Sequence, residues 1–119
     1  MNYKGKDITI ELSNKFRKYF KVLSKKHKSL PADLEMLLRS LKENPMQGAD
    51  LGNGLRKVRM AITSKGKGKS GGARIITYTL LIHKSGVLRL LSIYDKADKE
   101  TISDKELKQL LKDIMEDMQ

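Results

Sequence analysis

The sequence contains no cysteine, which excludes a disulfide scaffold, a thiolate zinc site and a cysteine nucleophile together. Its two histidines, His27 and His83, leave little with which to hold a metal, and no metal or other cofactor is expected. Apolar runs extend over only a few residues. The charged start at residues 1–7 has no apolar stretch of signal-peptide length behind it. The expectation is a soluble, cytoplasmic protein without a membrane partner. Acidic residues show the most telling absence: residues 51–94 carry nine Lys/Arg and not one Asp or Glu. Generic solvated surfaces mix both signs, so an acid-free stretch of this length points to an anionic partner.

The chain has 119 residues, enough for a single domain spanning 1–119 with one core. Hydrophobic residues make up 39% and charged residues 33%, so the chain has the apolar content to fold despite its charge. The net charge is +11, divided as +5 over residues 1–50, +9 over 51–94 and −3 over 95–119. The positive field is therefore centred on the middle of the chain.

Hydrophobic patterning predicts an α+β arrangement in the order β-α-α-β-β-β-α. Residues 7–12 alternate, with Ile8, Ile10 and Leu12 on one side, as a short strand does. Phe16, Phe20 and Leu23, with Tyr19 alongside, change the period to that of a helix over 13–26, with an aromatic core face and a lysine-rich outer face. Pro31 suits the first turn of a second helix, whose stripe is Leu34, Leu37, Leu38 and Leu41 and which Asn44-Pro45 ends. The short link makes the two helices a hairpin. Residues 46–54, rich in glycine, read as a loop. Strands follow over 55–62, 74–82 and 87–94, the last two joined by a turn holding His83. Both histidines are expected in solvent. Ser103 and Glu106 form a capping box for a last helix, with Leu107, Leu110, Leu111, Ile114, Met115 and Met118 on its apolar face.

Residues 63–72 (TSKGKGKSGG) are small or cationic throughout and read as an exposed hairpin tip, mobile without a ligand. Gly66 to Gly71 imitates a dinucleotide fingerprint, but a strand follows where a helix is needed, and the next carboxylate is Asp95. Gly68-Lys69-Ser70 imitates the end of a P-loop, yet Thr63 stands where the first glycine belongs. What remains is a cationic arm whose backbone can approach phosphate closely, with Lys65, Lys67 and Lys69 at alternate positions. Lys57, Arg59 and Arg74 flank it on strands, and a cation in a sheet is costly unless paired or solvated. No acid nearby in sequence pairs them; a phosphate would.

Three segments, residues 54–59 (GLRKVR), 65–76 (KGKGKSGGARII) and 91–96 (LSIYDK), resemble the toxin of a HigB/RelE-type toxin–antitoxin pair, part of the RelE/ParE superfamily. The resemblance runs from Ile8 to about Met115. It implies a RelE-like fold, a small curved antiparallel sheet with an N-terminal helical hairpin and a C-terminal helix. It also implies a ribosome-dependent, metal-independent endoribonuclease that cuts messenger RNA through its 2′-hydroxyl, inhibits translation and is neutralised by a cognate antitoxin. By position it makes Arg74 the clamp on the scissile phosphate, Lys57 a candidate base, Arg59 a second clamp or orienting group, and Lys96 an acid or phosphate contact. Such chemistry needs a proton acceptor, charge stabilisation and a leaving-group acid, which clustered cations can supply without a histidine pair. Lys65, Lys67 and Lys69 would hold ribosomal RNA, and Tyr94 would either stack on a base or close the core with its hydroxyl at the rim. Ala97 and Ser103 stand where some relatives carry an arginine and a tyrosine. Two other readings fit the same composition: a toxin of this fold that poisons DNA gyrase, and a non-catalytic RNA-binding module.

Overall fold

The computed structural model describes residues 6–66 and 68–117. Lys67 and Met118 lie outside them. The elements in chain order are β1 (Asp7–Leu12), α1 (Asn14–Lys26), α2 (Leu30–Glu43), β2 (Ala49–Gly52), β3 (Leu55–Met60), a 3-10 turn (Thr63–Lys65), β4 (Ala73–Ile82), β5 (Ser85–Asp95) and α3 (Asp104–Asp117). The three helices form where their periodicity and caps place them. The Ser13 hydroxyl accepts from the Phe16 N–H at 3.0 Å, Pro31 lies in the first turn of α2, and the Ser103 hydroxyl accepts from the Glu106 N–H at 3.1 Å. None of the described helices is long and apolar enough to cross a membrane.

The strands make one sheet in the order β1-β5-β4-β3-β2. Two features depart from the expected layout. β1 runs parallel to β5, so the sheet is mixed and not wholly antiparallel. The glycine-rich segment expected to be a loop contains β2, which pairs Ala49 with Lys57 and Asp50 with Arg56 before an irregularity at Gly52. Four residues with little apolar character carry no alternation to read; β2 is held by the backbone of its neighbour.

Both faces of the sheet are covered. On one, the α1/α2 hairpin buries Phe16, Leu23, Leu30, Leu34, Leu37 and Leu41 against Val58, Ile75, Leu88, Leu90 and Ile93. On the other, Ile102, Leu110 and Ile114 pack against Leu55, Ile76, Leu91 and Tyr94. A register shift lets β5 serve both cores: Ile76 pairs with Ser92 but Thr77 with Leu90, so Leu91 is the extra residue and Leu90 and Leu91 face opposite ways. The apolar stripes are narrower than the sequence implies, since Tyr19 is 41% and Met115 62% exposed.

Candidate nucleic-acid interface

Register places the strand-borne cations. Arg59 of β3 stands directly opposite Arg74 of β4, and Lys57, two residues from Arg59, stands opposite Ile76. Side chains alternate along a strand, so Lys57, Arg59 and Arg74 leave the sheet on one face, the α3 face. Arg59 is exposed and Lys57 half-buried; Lys96, just past β5, is half-buried, and Lys69 is exposed on the loop. Among the described residues none of these four ammonium or guanidinium groups meets a carboxylate. Arg59 and Lys69 border one cleft of about 280 Å³, whose walls include Met36, Ser40 and Gln47.

Arg74 behaves differently from the other cations. It is 3% exposed, and its guanidinium turns into the loop, donating to the carbonyl oxygens of Lys69 (2.9 Å), Ser70 (3.1 Å) and Ala73 (3.2 Å). Three of its five N–H donors are spent on backbone carbonyls, two of them in the loop and one on Ala73 at the start of β4. The structure thus gives Arg74 a place as the loop's internal cap, its charge buried against the carbonyls of Lys69 and Ser70.

The other end of the loop is tied down by carboxylates. Asp95, 5% exposed, accepts from the Lys65 ammonium (2.8 Å), His27 Nε2 (3.0 Å) and the Ala97 N–H (2.9 Å). Asp33 on α2 accepts from the Thr63 hydroxyl (2.5 Å), the Thr63 N–H (2.9 Å) and the Ser29 hydroxyl (2.7 Å), while the Ser29 oxygen takes the Ser64 N–H at 2.9 Å. Two buried acids, one from each side, therefore clamp the 3-10 turn at the base of the loop. Burial on its own pushes the Asp95 carboxyl up, but the Lys65 hydrogen bond, the Ala97 N–H and His27 outweigh it and hold the pKa below its ordinary value. Asp33 is likewise lowered: burial raises it, and the hydroxyls of Thr63 and Ser29 with the Thr63 N–H bring it down further.

The loop expected to be a free tip thus has a fixed stem. Lys65, expected on RNA, sits on Asp95 with its side chain only 15% exposed, so the acid missing nearby in sequence arrives from the far end of β5. His27, expected in solvent, has a side chain 17% exposed and bridges α1 to the same carboxylate. His83 is exposed, at a positive φ of 49° in the β4–β5 turn. Tyr94 is 7% exposed within the second core, and the Lys99 ammonium lies 5.1 Å from its ring centroid. Burial raises the pKa of its hydroxyl, with the Ile102 backbone, Arg74, Lys99 and Thr101 nearby acting in the opposite sense. Of the two roles open to it in the sequence, Tyr94 occupies that of a core residue. Asp33 and Asp95 escaped the sequence reading, although Asp95 carried a signal as the first acid after 44 residues without one.

Chemically, the face offers exposed cations to a polyanion around a loop whose stem is anchored by Asp33 and Asp95. A family model described as the RelE toxin of the RelE/RelB toxin–antitoxin system matches residues 14–118.

Proposed function

The chain belongs to the RelE toxin family and so has a cognate antitoxin as partner, and on that premise we propose that it is a ribosome-dependent endoribonuclease acting on messenger RNA. The observation that carries the reading is that register sets Lys57, Arg59 and Arg74 on one sheet face, with no carboxylate partner for Lys57 or Arg59 among the described residues. Charges held this way in a sheet are stabilised by a bound phosphate.

The reaction asks little of the protein beyond positioning and charge. The 2′-oxygen attacks the adjacent phosphorus, the bond to the 5′-oxygen breaks, and a 2′,3′-cyclic phosphate and a 5′-hydroxyl result. Lys57 is placed to take the 2′-hydroxyl proton; Arg59 stabilises the added charge on the phosphorane; Lys96 returns a proton to the 5′-oxygen. Arg74 acts indirectly: its charge adds to the potential, and its bonds to the Lys69 and Ser70 carbonyls hold the loop against the site. Lys69, and Lys67 from its place in the sequence, reach ribosomal RNA, whereas Lys65 is occupied in holding the stem.

Primer extension on cellular messages after brief induction tests this directly. The native chain is expected to stop growth and produce breaks at fixed codon positions. Lys57→Ala and Arg59→Ala should each cut the cleavage rate by roughly 10²-fold or more. Growth arrest with DNA-damage signalling and intact messages would instead make the chain a gyrase poison. Neither effect would leave an RNA-binding module without catalysis.

A further inference from the structure

The charge on α1 is unexplained by the site. Its thirteen residues include Lys15, Arg17, Lys18, Lys21, Lys25 and Lys26 and no acid, and Lys28 follows after the capping His27. Lys15 reaches Asp113 at 3.4 Å, and Arg17 donates to the Leu12 carbonyl at 3.3 Å. Lys18, Lys21, Lys25, Lys26 and Lys28 are exposed and have no partner among the described residues. Lys25 and Lys26 are accounted for by the helix dipole, which favours cations in the last turn. Lys18 and Lys21 are not, and Lys15 and Arg17 in the first turn oppose the dipole. Like charges three and four residues apart, such as Lys18 with Lys21 and Lys21 with Lys25, repel each other. At about 3.6 residues per turn, Lys18, Lys21 and Lys25 form a ridge on the side opposite Phe16, Phe20 and Leu23, pointing straight away from the core. Helix stability selects against such a ridge.

We propose that the Lys18–Lys21–Lys25 ridge of α1 is a second contact surface for an RNA backbone, separate from the cleavage face and supplying affinity but no chemistry. The inference rests on the RNA reading above and extends it to the opposite side of the sheet. Two observations choose RNA over a protein partner. Lysine is depleted in the cores of protein–protein interfaces, whereas its flexible point charge suits phosphates, which impose no bidentate geometry. The ridge also ends at the loop: His27 caps α1 and bonds Asp95, which in turn holds Lys65, so the cations of α1 and those of the loop meet at one end of the molecule.

The test is the combined variant Lys18→Gln, Lys21→Gln, Lys25→Gln, with binding to purified ribosomes and to a structured RNA duplex measured from low to high salt. Removing the repulsion should leave the circular dichroism unchanged and the melting temperature equal or higher. Binding should fall at least about tenfold at moderate salt, and the slope of log K against log salt should flatten by about 0.9 for each lost phosphate contact, roughly two to three in all. Cleavage at saturating ribosome concentration should keep its kcat while KM rises. Unchanged affinity and slope would overturn the proposal. So would unaltered RNA binding with lost affinity for the antitoxin, which would make the ridge a protein-docking surface. If native chain and variant both fail to cut messages while the difference in RNA slope persists, the nuclease reading fails and the ridge stands.

Discussion

Asp95 illustrates how much one carboxylate can organise when nearly every neighbour is positive. It joins the end of β5, the C-terminus of α1 and the base of the loop through Lys65 and His27. Because its folded pKa lies below the unfolded one, its stabilisation is complete above the ordinary carboxylate range and is lost as pH falls through the folded value. Asp33 contributes with the same sign. Asp95→Asn is therefore expected to cost on the order of 2–4 kcal/mol at neutral pH, since it leaves Lys65 half-buried without its counter-charge. The gap from the native chain should narrow as the pH falls below the ordinary carboxylate range and toward the lowered folded pKa, where the native carboxylate loses its own charge. Urea unfolding at pH 7 and pH 3 checks both the size and the sign.

The loop as an element works through its two ends. Gly72 closes it beneath β3, accepting from the Lys96 N–H at 3.0 Å, and a Cβ there would lie 2.2 Å from the Met60 carbonyl oxygen. Both partners are backbone, so neither can step aside. Gly72→Ala is expected to destabilise the fold by about 1–3 kcal/mol and to weaken ribosome binding through a displaced loop, measurable by thermal melting and binding of one sample. The cations divide by the same logic. Lys65→Ala should lower the melting temperature and leave the salt dependence of ribosome binding intact. Lys69→Ala should leave the melting temperature unchanged and flatten the salt dependence by about one log unit per log salt. If Lys65→Ala altered only the salt dependence, the anchoring role would be refuted.

Over the whole molecule, a net charge of +11 sets the terms on which partners arrive. A partner antitoxin that presents acidic residues should be steered by this field. Association measured by stopped flow is then expected to slow at least about tenfold between 50 and 500 mM salt, while dissociation changes much less. An association rate indifferent to salt would mean that the antitoxin docks by shape on a neutral part of the surface. The same field supports affinity for ribosomes, since both faces of the sheet carry exposed cations, Arg59 on one and the α1 lysines on the other.

Helix positions, the Ser103 capping box and the central strands were all legible in the sequence, because periodicity and capping chemistry are local properties that survive in one dimension. Register was not, and register decided which cations share a sheet face. Pairing across β3 and β4 put Arg59 beside Arg74, and a bulge at Leu91 set which residues of β5 face which core. The parallel addition of β1 to β5 and the short β2 strand depend on hydrogen bonds between distant backbone segments, for which side-chain patterns give no sign. The fixed loop stem has the same origin. Asp33 and Asp95 lie 30 residues from Thr63 and Lys65, and only the packing of α2 and β5 around the turn makes them neighbours. Their contact is a product of long-range folding, so only the tertiary structure could convert a glycine-lysine tip into an anchored element.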